Sequence, residues 1–111
     1  MAYLGDAVIE LMTRAMLIKN FHTTAGNLNE ISRNYVTAQS QSAAVERIIG
    51  VLTEDELAVY KRGRNIKDAN VPKSATAMEY KRATGLEVLF ATLYLDGKHE
   101  RLSELFDIAY G

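Results

Sequence analysis

Two carboxylates, Asp6 and Glu87, stand where a helix would otherwise present hydrocarbon. Glu87 is surrounded by Ala83, Thr84, Leu86, Val88, Phe90 and Ala91, so nearly every direction around its helix is apolar. An ionised carboxylate held there is costly unless it is paired or bound to a cation. No lysine or arginine lies three or four residues away on either side, so a buried Glu87 needs a metal ion or a basic partner from elsewhere in the fold. The alternative is a carboxylate at the solvent edge of the helix, and these residues alone leave both readings open. Asp6 interrupts an apolar segment beside Gly5. A glycine inside a helix costs about 1 kcal/mol relative to alanine, and its presence often signals close approach by another backbone or a ligand. Glu10, one turn beyond Asp6, precedes Arg14 by four residues, the favourable orientation for an ion pair, and reads as structural. Asp6 and Glu87 are 81 positions apart and can meet only through tertiary packing. An oxygen-only pair favours magnesium or manganese over zinc. Magnesium uses one or two carboxylates, keeps several waters and binds phosphate oxygens, which suits hydrolysis of a phosphodiester.

The elements that must position these groups read as helices throughout, with no clean period-two alternation and no hairpin signal. A first helix spans roughly Ala2 to Lys19, with Leu4, Val8, Leu11, Met12 and Ala15 expected on one buried face. Helices from about Ala25 to Tyr35 and from Ala38 to Val51 follow, the former turning Leu28, Ile31 and Tyr35 inward and the latter carrying Ala43, Ala44, Ile48 and Ile49. Thr53 with Glu56, and Thr76 with Glu79, have the spacing of capping boxes. The first opens a helix ending near Gly63 or Asn65, and the second opens a long helix to about Leu95 with Gly97 as its C-terminal cap. Ile66 to Ser74 contains the only proline, Pro72, and reads as a loop. A last amphipathic helix carries Leu102, Leu105, Phe106 and Ala109. The expectation is one all-α domain.

Composition narrows the chemistry further. The 111 residues suffice for a hydrophobic core without staples. The absence of cysteine excludes disulfides, thiolate metal sites and cysteine nucleophiles. No apolar run approaches the roughly 20 residues that span a bilayer, and the N-terminal sequence does not read as a secretory signal. A cytoplasmic protein without membrane attachment is therefore expected. The net charge of -1 is unusual for a nucleic-acid binder, but the stretch from Lys61 to Arg82 holds seven basic and two acidic residues on an otherwise acidic chain. Such a stretch can hold a phosphate backbone or form a solvated loop, and charge alone does not choose. His22 and His99 are isolated from each other and read as surface residues, and the six tyrosines read mainly as core. Gln39, Ser40, Gln41 and Ser42 are either polar residues near a site or simply the start of a helix.

The motifs, taken in order, resemble a family. Tyr3-Leu4-Gly5-Asp6-Ala7-Val8 resembles the signature helix of ribonuclease III, whose aspartate binds the catalytic metal. Leu86-Glu87-Val88-Leu89-Phe90-Ala91 with Tyr94-Leu95-Asp96-Gly97 resembles the second motif, whose glutamate is the other key ligand. Lys61-Arg62-Gly63-Arg64-Asn65, Pro72-Lys73 and Tyr80-Lys81-Arg82-Ala83-Thr84-Gly85 resemble the Mini-III branch in order and spacing. Two positions depart from ribonuclease III at large: Ala2 replaces a glutamate and Thr84 an aspartate, a reduced carboxylate set that is similar to Mini-III.

The resemblance implies a ribonuclease III catalytic-domain-like helical bundle over residues 1–111, homodimeric, with no double-stranded RNA-binding domain. It implies a metal-dependent endoribonuclease acting on double-stranded RNA and leaving 5′-phosphate and 3′-hydroxyl ends with a short 3′ overhang. Asp6 and Glu87 would hold magnesium, with manganese a substitute, and Lys61, Arg62, Arg64, Asn65, Lys67 and Lys73 would contact RNA. Lys81 and Arg82 are expected to position the long helix instead. The implied substrate is the precursor of 23S ribosomal RNA, with a large-subunit ribosomal protein as a further partner. A catalytically inactive RNA-binding relative and a helical dimerisation module are the alternatives.

Overall fold

A computed structural model describes residues 1–66 and 75–111. Among the described residues there are six helices: α1 (Ala2–Asn20), α2 (Ala25–Val36), α3 (Ala38–Ile48), α4 (Glu54–Arg64), α5 (Ala77–Leu95) and α6 (His99–Tyr110), with a 3-10 turn at Ile49–Val51. The described residues contain no strand. The expected loop from Ile66 to Ser74 falls, after Ile66, outside the described residues.

Local chemistry sets the helix limits. The hydroxyls of Thr24 and Thr37 accept from the backbone N–H groups of Asn27 and Ser40. Both expected capping boxes form, Thr53 with Glu56 and Thr76 with Glu79. After α5, Gly97 adopts φ 72, and its N–H and that of Lys98 donate to the carbonyls of Tyr94 and Leu93. That pattern closes the helix with the left-handed residue that only glycine adopts without strain.

Helix α5 is the axis of the molecule. Ala83, Gly85, Leu86, Val88, Leu89, Phe90, Ala91 and Leu93 are all buried along it, and α1, α3, α4 and α6 pack around it. The buried face of α1 differs from expectation. It comprises Gly5, Val8, Ile9, Thr13 and Leu17, whereas Leu11 is 66% exposed and Ala15 also faces outward. Thr13 belongs inside because its hydroxyl donates to the Ile9 carbonyl at 2.8 Å, so no polar group is left unsatisfied. Ile49 is exposed because α3 ends at Ile48 and the chain tightens into the 3-10 turn. Tyr60 is core as expected, but Tyr3 and Tyr94 are exposed.

A partly buried ion pair ties α6 to the start of α4. Arg101 donates from Nε and Nη2 to the two carboxylate oxygens of Glu56, each at 2.8 Å, and from Nη2 to the Val51 carbonyl at 2.8 Å. Glu104 is a further partner of Arg101. The hydrogen bonds from Arg101 hold the Glu56 carboxyl below its ordinary 4.5, against the opposing pull of burial. A depressed carboxyl stabilises the fold above its unfolded-state value, and this contribution is lost as pH falls through the folded-state value. Arg101→Ala should lower unfolding free energy in urea by about 1–2 kcal/mol at neutral pH, since it takes the guanidinium from a carboxylate that is largely covered. The deficit relative to wild type should shrink as pH is taken below 4.5.

Candidate active site

Helices α1 and α5 cross with their backbones in contact. A β-carbon built on Gly5 would stand 1.8 Å from the carbonyl oxygen of Glu87, so no other residue fits there without moving the helices apart. The glycine in the polar interruption of α1 is thus the close approach its position suggested. The next residue, Asp6, is exposed, and Glu87 is half-buried. The crossing brings their side chains into hydrogen-bonding contact.

Glu87 does not ionise in the ordinary carboxylate range. Burial first, then the Asp6 charge, then the hydrogen bond to Asp6 push the Glu87 carboxyl up to about 8. In that state the Glu87 O–H donates to the Asp6 carboxylate, so the pair shares a proton. Among the described residues no basic side chain forms an ion pair with either acid. Glu87 is thus half-buried with an acid rather than a base beside it.

The donor set fits a hard divalent cation. Two carboxylates supply oxygen donors of the kind a hard divalent cation takes, and among the described residues no group of three or more His, Cys, Asp or Glu side chains gathers around a common point. Replacing the shared proton by a cation would remove the repulsion that raises Glu87. Neither replaced family position adds a ligand. Ala2 has no donor, and the Thr84 hydroxyl donates to the Tyr80 carbonyl at 3.0 Å.

The end of α4 lies at the same level of α5. A β-carbon on Gly63 would stand 2.7 Å from the side chain of Val88, and one on Gly85 would stand 2.7 Å from the Tyr60 ring. These contacts flank Glu87 along the sequence, and they hold the last turn of α4 beside its stretch of helix. Lys61, Arg62 and Asn65 are exposed there. Arg64 is half-buried, its guanidinium 5.9 Å from the centre of the Tyr60 ring and its Nε donating to Asn65 Oδ1 at 3.2 Å. Lys67 and Lys73 lie outside the described residues.

Other expectations resolve plainly. Arg14 and Glu10 pair at 2.6 Å. Arg82 donates to Ser42 and Glu46, bracing α5 against α3, while Lys81 is exposed. Gln41 and Ser42 turn inward, and His22 and His99 are exposed. The close approaches of Gly63 and Gly85 carry the same sequence signal as Gly5, a glycine inside a helix. The burial of the Tyr110 hydroxyl had no signal in the sequence.

A sequence profile for the Ribonuclease III domain matches residues 1–98, which takes in both Asp6 and Glu87. The chain belongs to the ribonuclease III domain family. Among its ribonuclease III relatives, a Mini-ribonuclease 3 from Symbiobacterium thermophilum is 41% identical over 109 residues, covering 98% of this chain and 84% of that protein. A Mini-ribonuclease 3 from Clostridium tetani is 38% identical, covering 97% and 72%. A crystal structure of a Fusobacterium nucleatum protein superposes with a TM-score of 0.87 at 37% identity, over 96% of this chain and 85% of that one. The fold expected from the ribonuclease III resemblance is the fold observed.

The shared proton makes a prediction about the metal-free protein. Between the unfolded-state value near 4.5 and the folded-state value of about 8, Glu87 keeps a proton that the unfolded chain has released. Stability should therefore fall as pH rises through that window. Thermal unfolding in chelator should show this slope in wild type and a flatter one in Glu87→Gln. Parallel curves would mean that Glu87 titrates as an ordinary surface acid.

Proposed function

We propose that this chain is a metal-dependent endoribonuclease that hydrolyses phosphodiester bonds of double-stranded RNA, with Asp6 and Glu87 as its metal ligands. The observation that carries this reading is the facing pair itself, two acids brought together by a helix crossing that only glycine permits, in a chain of the ribonuclease III family. Magnesium is the cation, with manganese a substitute, because both accept an all-oxygen shell of few carboxylates and many waters. Bound there, the cation supplies a water activated for attack and neutralises charge on the phosphate.

The protein's own groups do the rest. Asp6 and Glu87 fix the cation's place on rigid, crossing helices. Lys61, Arg62, Arg64 and Asn65 meet the phosphates of the duplex beside it, with Lys67 and Lys73 continuing that basic surface. A-form RNA offers phosphates and 2′-hydroxyls across a wide minor groove, so such contacts read shape rather than sequence. Residues 1–111 act in this reading as one catalytic domain that grips RNA itself.

A two-fold dimer suits a duplex substrate. Its support is a second apolar face on α1, where Tyr3, Leu11 and Ile18 are 94%, 66% and 64% exposed opposite the core. Solvated helices rarely expose such a stripe without a partner. The family relatives are named Mini-ribonuclease 3, and the substrate we assign is the precursor of 23S ribosomal RNA in the cytoplasm, with a large-subunit ribosomal protein as an assisting partner. Among the described residues no helix is long and apolar enough to cross a membrane.

The replacements at Ala2 and Thr84 favour one second reading, an RNA-binding relative without catalysis. Incubating the purified chain with a long RNA duplex and magnesium separates the two. Staggered cutting that falls at least ~100-fold in both Asp6→Asn and Glu87→Gln is expected. Duplex binding without cutting, in magnesium and in manganese, would establish the second reading instead.

A further inference from the structure

A cleft of about 410 Å³ opens where the ends of α2 and α6 meet α3, lined by Asn34, Tyr35, Ser40, Arg47, Ala109 and Tyr110 among others. Its lining holds one cation and no acidic side chain. Arg47 donates from Nη1 to the Ala109 carbonyl at 2.7 Å, so the guanidinium is anchored at the cleft wall instead of swinging in solvent. Arg14, Arg82 and Arg101 each pair with a glutamate, whereas among the described residues Arg47 forms no ion pair. A guanidinium has five N–H donors and no acceptor, so donors remain beyond the one that Ala109 takes. The cleft also borders the ring of Tyr110, edge-on to Tyr35 at 5.9 Å and tilted against Phe106 at 5.0 Å. The Tyr110 hydroxyl is, among the described residues, the one buried side-chain polar atom with no hydrogen-bond partner. Such unpaired groups are rare in folded proteins and point to a partner supplied from outside the chain.

We propose that this cleft is a second phosphate contact for RNA, separate from the basic turn of α4, with Arg47 as its charged donor. This rests on the reading of the chain as acting on double-stranded RNA, and it does not depend on the roles of Asp6 and Glu87. An anchored guanidinium without a counter-charge selects an oxyanion, because its planar fork meets two oxygens of one phosphate at once. The Ser40 hydroxyl and the Asn34 amide beside it suit the adjoining ribose, whose 2′-hydroxyl both donates and accepts. Arg47 lies outside the stretch from Lys61 to Arg82, in the part of the chain where acidic residues outnumber basic ones. A lining free of acids is therefore a local feature of this cleft and not a consequence of a basic surface all around it. A free oxyanion shares the same chemistry, and the experiment separates the two sources.

The test is binding of a long RNA duplex over a series of salt concentrations, without divalent cations so that binding is read apart from cutting. The proteins are wild type, Arg47→Gln, Arg47→Lys and, as a charge control at the exposed α5–α6 turn, Lys98→Gln, with thermal unfolding of each. Arg47→Gln keeps a donor for the Ala109 carbonyl and loses the charge. Its plot of log affinity against log salt should be shallower by about 0.9, the loss of one phosphate contact, at the wild-type unfolding temperature. Arg47→Lys and Lys98→Gln should keep the wild-type slope. An unchanged slope in Arg47→Gln overturns the proposal. An equal drop in Lys98→Gln overturns it too, since diffuse charge would suffice, as does a drop that comes only with a lower unfolding temperature. Inorganic phosphate is titrated by calorimetry into wild type and Arg47→Gln. Phosphate binding that needs Arg47, beside an unchanged RNA slope, would make the cleft a site for a free oxyanion and overturn the RNA assignment. Wild type that binds no duplex even at low salt would overturn the RNA reading of the chain, and this proposal with it.

Discussion

The contact between Gly5 and the Glu87 carbonyl is what everything else in the site depends on. Two helix backbones meet there without side chains between them, so the groups projecting from the crossing have little freedom in where they go. Asp6 follows Gly5 by one residue and therefore emerges beside the Glu87 side chain. The pair is held by main-chain packing rather than by a loop, so its geometry is fixed by the fold. Burial raises Glu87 first, and the closeness of Asp6 adds to it.

Helix α5 makes this arrangement cooperative. Its turn from Gly85 to Val88 receives α1 on one side and the end of α4 on another, each through a glycine or against an aromatic ring. A change in either packing moves the acids and the basic turn of α4 together. The remaining faces of α5 are sealed by α3 and α6, with Arg82 and Arg101 as braces away from the crossing. The acid pair and the basic turn of α4 are thus parts of one packed unit.

Much of this was legible in the sequence because it rests on local rules. Capping threonines with glutamates three residues on, and Gly97 after α5, mark helix ends wherever they fold. Glu87 stood out because its neighbours are hydrocarbon, and Gly5 because a helix interior penalises it. The inner face of α1 was misread for a physical reason. The helix is apolar on two opposite sides, and its true core face includes Gly5 and Thr13, residues that hydrophobicity discounts. Leu11, with Tyr3 and Ile18, belongs to the outer stripe. Tyr110 was illegible for a different reason, since an unpartnered hydroxyl is a property of packing among α2, α3 and α6 and leaves no pattern along the chain.

The central claim is that a divalent cation takes the place of the proton shared by Asp6 and Glu87. Calorimetric titration of manganese at pH 7, repeated in buffers of different ionisation enthalpy, measures the protons released on binding. With Glu87 at about 8 in the free protein, the account predicts release of close to one proton per ion, absent in Glu87→Gln. Tight binding with no proton release would contradict it, for the cation would then be held somewhere other than between these two acids.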